Sequence, residues 1–182
     1  MTIELESSGL PSCGRMRVTL DELRAQFVDH PVFAESPTRA KIWASFLRAT
    51  GMLRDTIPIC AMWIGGSFVT SKHDPSDIDV LYIVTAHDYA RLHDEGLKRV
   101  AIFSRNGSLM ERGIPVDCSV LVWEAIPELR PDNPGHSDYL KWRGYWDDFL
   151  QRHTDDKSQV LTRSSSVPTR GYLEVIDNDF TP

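Results

Sequence analysis

At 182 residues, with 26 acidic against 20 basic side chains and a net charge of −6, the chain is long enough for one domain with a real core, and too acidic to coat long nucleic acids by charge alone. Its 41% hydrophobic and 25% charged content excludes a disordered polyelectrolyte. The three cysteines, Cys13, Cys60 and Cys118, form no CxxC or His/Cys pattern, and no apolar run approaches the ~20 residues of a membrane span.

The opening MTIELESSGLPSCG has neither the basic start nor the apolar core of a secretion signal, so a cytoplasmic protein with reduced cysteines is expected. Residues 1–18, with Gly9, Pro11 and Gly14, read as an irregular lead-in. Thr19 and Glu22 form a capping box that starts a helix with Leu20, Leu23 and Phe27 on one stripe. A second helix is expected from Ser36-Pro37, burying Ile42, Trp43, Phe46, Leu47 and Leu53. Ile57 to Ile64 and Ile78 to Val84 are short apolar runs bounded by turn residues, which predicts two core strands. A helix is expected from Thr85 to about Phe103, with Tyr89, Leu92, Leu97 and Val100 inward and His93 as a core histidine on the same side.

Arg105 to Gly113 reads as a connector, and Val116 to Trp123 as a third strand with Asp117 and Ser119 on one face. After the loop Arg130 to Gly135, the residues Tyr139, Trp142, Trp146, Phe149 and Leu150 mark a helix to about His153. At that spacing an aromatic stripe is more often core than a base-stacking platform. Residues 154–168 read as a mobile loop, and Gly171 to Ile176 as a last strand. Lys98, Arg99, Arg105, Arg112, Lys141 and Arg143 read as surface, and His73 as a solvated turn residue. The order gives an α/β (α+β) domain spanning 1–182, with a mixed central sheet flanked by helices. Its parts are N-terminal helices to 56, a core over 57–124, and a C-terminal helix, loop and strand over 130–182.

The unusual stretch is WIGGSFVTSKHDPSDIDVLYIV, from Trp63 to Val84. Residues i and i+2 of a strand share a face, so Asp77 and Asp79 project together, with Cα atoms about 6.5 Å apart, while Ile78 and Val80 turn to the core. Two carboxylates so placed repel each other, and burial makes the charged state costlier. A solvated acidic turn is the plain alternative. A divalent cation relieves both costs, and magnesium accepts few carboxylates plus substrate phosphates. Gly65, Gly66 and Ser67 end the preceding strand, where glycine lets backbone amides approach an anion and serine adds a hydroxyl. Asp117 offers a third carboxylate on a third strand. Three carboxylates facing a phosphate-cradling turn suit two-metal phosphoryl or nucleotidyl transfer.

Other motifs are excluded by position. Phosphatases and sugar-nucleotide transferases place such an acidic pair at the exit of an apolar strand, whereas here the strand follows it. There is no GxxxxGK[ST], no GxGxxG and no G-x-S-x-G.

Gly66-Ser67, nine intervening residues and then Asp77-Ile78-Asp79 resemble the signature of the polymerase-β-like nucleotidyltransferase superfamily. More closely, the chain resembles an uncharacterised bacterial nucleotidyltransferase-like family with a WIxGSFVTxKxxPxDIDV core. It shares with that family the segments Ser8-Gly9-Leu10-Pro11, Tyr145-Trp146-Asp147-Asp148-Phe149 and Arg170-Gly171-Tyr172.

The resemblance implies the polymerase-β-like fold and transfer of an NMP from an NTP to an acceptor hydroxyl, with pyrophosphate released. It implies two Mg2+ ions, or Mn2+, at Asp77, Asp79 and Asp117, with Asp117 also helping to deprotonate the acceptor. Gly65, Gly66, Ser67 and Lys72 would hold the nucleotide. The acceptor is a small molecule, a protein or a nucleic acid end, and no membrane is involved. Many small members carry arginines after the glycine-serine, where this chain has Phe68-Val69-Thr70-Ser71, leaving Lys72 as the one cation of that loop. The alternative function is a nucleotide- or partner-binding module without turnover, including membership of a toxin–antitoxin or defence pair.

Overall fold

The computed structural model describes residues 5–105, 107–124, 128–152 and 164–178. Thr19 caps the first helix as its sequence predicts. Its Oγ1 accepts the Glu22 amide at 3.2 Å, and Glu22 Oε2 accepts the Thr19 amide at 2.8 Å. The helix, α1 (Leu20–Phe27), buries Leu23 and Phe27.

The second helix, α2, spans Arg39–Arg54 rather than starting at Ser36-Pro37. Ser36 Oγ instead lies 3.4 Å from the amides of Thr38 and Arg39, forming a turn ahead of the helix. Ile42, Trp43, Phe46 and Leu53 are buried as expected. Leu47 is 42% exposed, and Ala49 and Thr50 face inward in its place.

Five strands form one mixed sheet. They are β1 (Gly14–Arg17), β2 (Ala61–Gly65), β3 (Ile78–Thr85), β4 (Val116–Trp123) and β5 (Gly171–Ile176), in the order β1-β5-β2-β3-β4. β1 runs parallel to β5, β2 runs antiparallel to both β5 and β3, and β4 runs parallel to β3. β1 lies in the expected irregular lead-in; four residues, GRMR, carry too little apolar pattern to be read as a strand. β2 is shorter than the apolar run that predicted it. Ile57, Ile59 and Cys60 are buried, but Pro58 has no amide for the ladder.

The helix expected over Thr85 to Phe103 is two helices, α3 (Ala86–Ala90) and α4 (Asp94–Ser104). Thr85 Oγ1 caps the first by accepting the Asp88 amide at 2.9 Å. His93 is the extended N-cap residue of the second and is exposed, so it is not the expected core histidine. The last helix, α5, spans Pro134–Leu150. The expected loop over 154–168 falls outside the described residues as far as 163; Ser164–Ser166 form one 3-10 turn. Among the described residues no helix is long and apolar enough to cross a membrane.

Alternation divides the sheet into two unequal faces. Met62, Ile64, Ile78, Val80, Tyr82, Val84, Val116, Cys118, Leu173 and Val175 meet residues of α1, α2 and α4 in the large core. Ala61, Trp63, Leu81, Ile83, Leu121 and Tyr172 turn the other way and meet Leu150, Trp146 and Tyr139 of α5 in a small one. Asp79 shares its parity with Leu81 and Ile83, and Asp117 with Leu121. Both therefore belong to the thinly covered face.

A buried arginine ties this frame together. Arg39 is 1% exposed, and its guanidinium donates to the carbonyls of Phe27, Phe68, Thr70, Lys72 and His73. It also lies 3.7 Å from the ring centre of Phe33. Four of the five acceptors belong to the loop joining β2 to β3. Replacing Arg39 by methionine keeps the aliphatic packing but strands those carbonyls. Urea denaturation should then show a loss of about 3–5 kcal/mol at an unchanged m-value; a loss below about 1 kcal/mol would mean that the loop holds itself.

Candidate functional site

Strand pairing sets up a row of residues across three strands. Gly65 on β2 is opposite Asp79 on β3, and Asp79 is opposite Asp117 on β4. Neighbouring strands lie about 4.8 Å apart, so the two aspartates stand side by side on the face they share. Asp77 immediately precedes β3, two residues from Asp79.

The turn after β2 closes over this row. Gly66 has φ 71° and ψ −171°, a backbone region open essentially to glycine alone. A Cβ there would stand 1.5 Å from Asp79 Oδ2. Gly66 therefore serves two needs, a forbidden backbone angle and contact with the carboxylate. A Cβ on Gly65 would stand 2.8 Å from Leu150 Cδ2, so that glycine lets α5 approach the sheet. Ser67 opens one 3-10 turn, Ser67–Val69.

The carboxylates differ in their surroundings. Asp77 Oδ1 accepts the Ser76 hydroxyl at 3.1 Å, and Asp117 Oδ1 accepts the Gly107 amide at 3.2 Å. Asp79 is pushed up to about 6, first by burial and then by the charges of Asp77 and Asp117, with Arg170 opposing. Its neighbours leave a net excess of negative charge. Among the described residues no three His, Cys, Asp or Glu side chains converge closely enough to hold a metal as they stand.

Sequence reasoning missed the nearest cation. Lys72 is exposed, and its backbone is what the fold holds, through Arg39 and through Thr70 Oγ1 at 3.2 Å. Arg170 is 5% exposed, and its Nη2 donates to the Gly66 carbonyl at 2.9 Å. Its Nε is buried without a hydrogen-bond partner. Burial lowers the guanidinium pKa, and Asp79 counters that effect. The Arg170-Gly171 pair was visible as a motif, but nothing local to it points to a turn 104 residues away.

The expected aromatic core on α5 is only partly one. Trp146 and Tyr139 pack against the small cluster, whereas Trp142, Tyr145 and Phe149 are 47–48% exposed. Asp147 anchors the helix by accepting the Tyr172 hydroxyl. His73 is exposed and pairs with Asp74 at 2.8 Å, a turn residue as expected.

Among known protein families, one described as "Family of unknown function (DUF6932)" matches residues 3–176. No curated protein and no solved structure matches the chain.

The charge on Asp79 makes a test. Its folded pKa near 6 lies above the ordinary carboxylate value of about 4, so its neutral form favours folding. That stability is full below pH 4 and is lost as pH rises through 6. Asp79→Asn should therefore match the parent at pH 4 and exceed it at pH 7 by on the order of 2 kcal/mol in thermal or urea unfolding. The gap should widen in an Arg170→Gln background. A gap independent of pH would mean that Asp79 is not perturbed.

Proposed function

The chain belongs to DUF6932, a family of unknown function, and from the chemistry of its acidic row we propose that it is a metal-dependent nucleotidyltransferase of the polymerase-β-like superfamily. It moves an NMP from an NTP onto an acceptor hydroxyl and releases pyrophosphate. The observation that carries the proposal is the register Gly65–Asp79–Asp117, with the Gly66 turn pressed onto the central carboxylate. A strand ending in glycine-serine, a next strand opened by Asp77 and Asp79, and a third carboxylate on the adjoining strand follow the pattern of that superfamily. The five-stranded mixed sheet with flanking helices is compatible with its fold.

The residues fit magnesium. Asp79 is held near 6 first by its burial and then by the charges of Asp77 and Asp117, and a divalent ion would supply the charge that the protein does not. Asp77, Asp79 and Asp117 would be the ligands, after rotation of Asp77 and Asp117 away from Ser76 and Gly107. Magnesium held by these three carboxylates would supply charge neutralisation at the α-phosphate and on the leaving pyrophosphate. Asp117 accepts the proton of the acceptor hydroxyl. The backbone of Gly65 and Gly66 and the hydroxyl of Ser67 hold the outer phosphates, with Lys72 at the loop's exposed side. Arg170 keeps that turn in place from beneath through the Gly66 carbonyl.

A module that binds a nucleotide or a protein without turnover is the second reading. It is favoured by the local hydrogen bonds that already occupy Asp77 and Asp117. Incubation with NTP labelled at the α-phosphate separates the two. Magnesium-dependent transfer or pyrophosphate release is expected, and Asp79→Asn or Asp117→Asn should reduce it by about 10²–10³-fold or more. Turnover unchanged in the Asp77→Asn/Asp79→Asn double variant would refute the two-metal site. NTP binding without pyrophosphate release across candidate acceptors would select the module.

A further inference from the structure

Resting on the nucleotidyltransferase reading, we propose that the cleft between the β3–β4 face and α5 is the subsite for the nucleobase, with Trp142, Tyr145 and Phe149 as its stacking wall. The cleft holds about 270 Å³, and its lining includes these rings together with Asp79, Asp117 and Ser119. That is below the ~300–1,000 Å³ of pockets for drug-sized ligands, room for one ring system rather than an extended molecule.

Positions 142, 145, 146 and 149 recur at helical spacing and share one face of α5. Only Trp146 turns inward to the apolar cluster. The other three rings stay nearly half exposed, although a helix face built for packing would cover them. They are arranged rather than scattered. Tyr145 and Phe149 are stacked, with planes 15° apart and centroids at 5.8 Å, and Trp142 meets Tyr145 edge-on at 82°.

Continuity with the acidic row selects the occupant. A ring seated on the aromatic wall is in the same cleft as Asp79 and Asp117, so the sugar and phosphates attached to it extend toward the carboxylates. Beyond the rings the lining combines Val80, Leu81, Cys118 and Leu150 with Asp79, Asp117 and Ser119, so its two carboxylates repel an anionic occupant in the absence of metal while its apolar part accepts a neutral base. Lys141 already lies 5.2 Å from the Trp142 ring centre, and Tyr145 and Phe149 stack on each other, so a base would take an outer face of that pair. Stacking tolerates every base, so the wall secures a nucleotide without choosing strictly among bases.

The test uses the full chain with adenosine, which has no phosphate, in the absence of metal. Saturation-transfer NMR should label the adenine protons more strongly than the ribose protons. Tyr145→Ala and Phe149→Ala should each weaken binding about tenfold, and Trp142→Leu less, while Leu47→Ala on the far side of α2 changes nothing. In turnover assays Tyr145→Ala should raise KM for the NTP and leave kcat near the parent value. Adenosine bound equally well by Tyr145→Ala and Phe149→Ala overturns the subsite. So does a parent chain that forms a dimer in which Trp142 becomes protected from acrylamide quenching, since the rings are then a contact between copies. Adenosine binding reads the aromatic wall alone, and magnesium-dependent turnover reads the carboxylates, so either can fail without the other.

Discussion

The β2–β3 loop is the part of the molecule on which everything else turns, and one guanidinium shapes it. A buried arginine is costly unless its donors are met, and Arg39 meets its own with backbone carbonyls rather than with a carboxylate. Burial pulls its pKa to about 10, with Asp74 pulling the other way, so it remains charged at neutral pH. Carbonyl acceptors report main-chain position directly. The arginine therefore specifies the path of residues 68–73, and with it the positions of Ser67 at one end and Asp77 at the other. The N-terminal segment adds a brace from outside, with the Ser71 amide donating to the Gly9 carbonyl at 2.8 Å.

Held in this way, the loop can carry an arrangement that is unfavourable by itself. Asp79 is raised because the fold buries it and then sets Asp77 and Asp117 beside it, and Gly66 occupies backbone angles closed to other residues. Such strain persists where surrounding structure over-determines it. Here the surroundings are Arg39 on one side of the turn and Arg170 on the other. Neither arginine follows the glycine-serine in sequence, yet Arg170 brings a positive charge close enough for Asp79 to feel.

Periodicity made the carboxylates legible. Apolar runs and their turn residues located β3, β4 and β5, and the two-residue period put Asp79 and Asp117 on the polar side of their strands. Strand order and register were not legible, because Gly65, Asp79 and Asp117 come into line only through pairings between distant segments. Arg39 and Arg170 were hidden for a similar reason: their acceptors are main-chain carbonyls that leave no mark in a sequence. The α5 stripe looked like core because helical spacing shows which residues share a face, not whether another layer covers it. Among the described residues one helix, α5, packs on that side of the sheet, and three of its rings stay in solvent. The break at His93 was missed because the apolar pattern runs through it.

The position of β5 has a consequence for how the protein is made. Residues 171–176 form an interior strand, inserted between β1 and β2. A chain emerging from the ribosome can pair β2 with β3 and β4 early, but β2 keeps an open edge, and β1 has no place in the sheet, until this late segment arrives. Arg170 arrives with it, so the Gly66 carbonyl gains its donor in the same step that closes the sheet. Nascent or C-terminally clipped chains would thus display the acidic row beside an unpaired strand, a form suited to capture by chaperones and proteases rather than to chemistry.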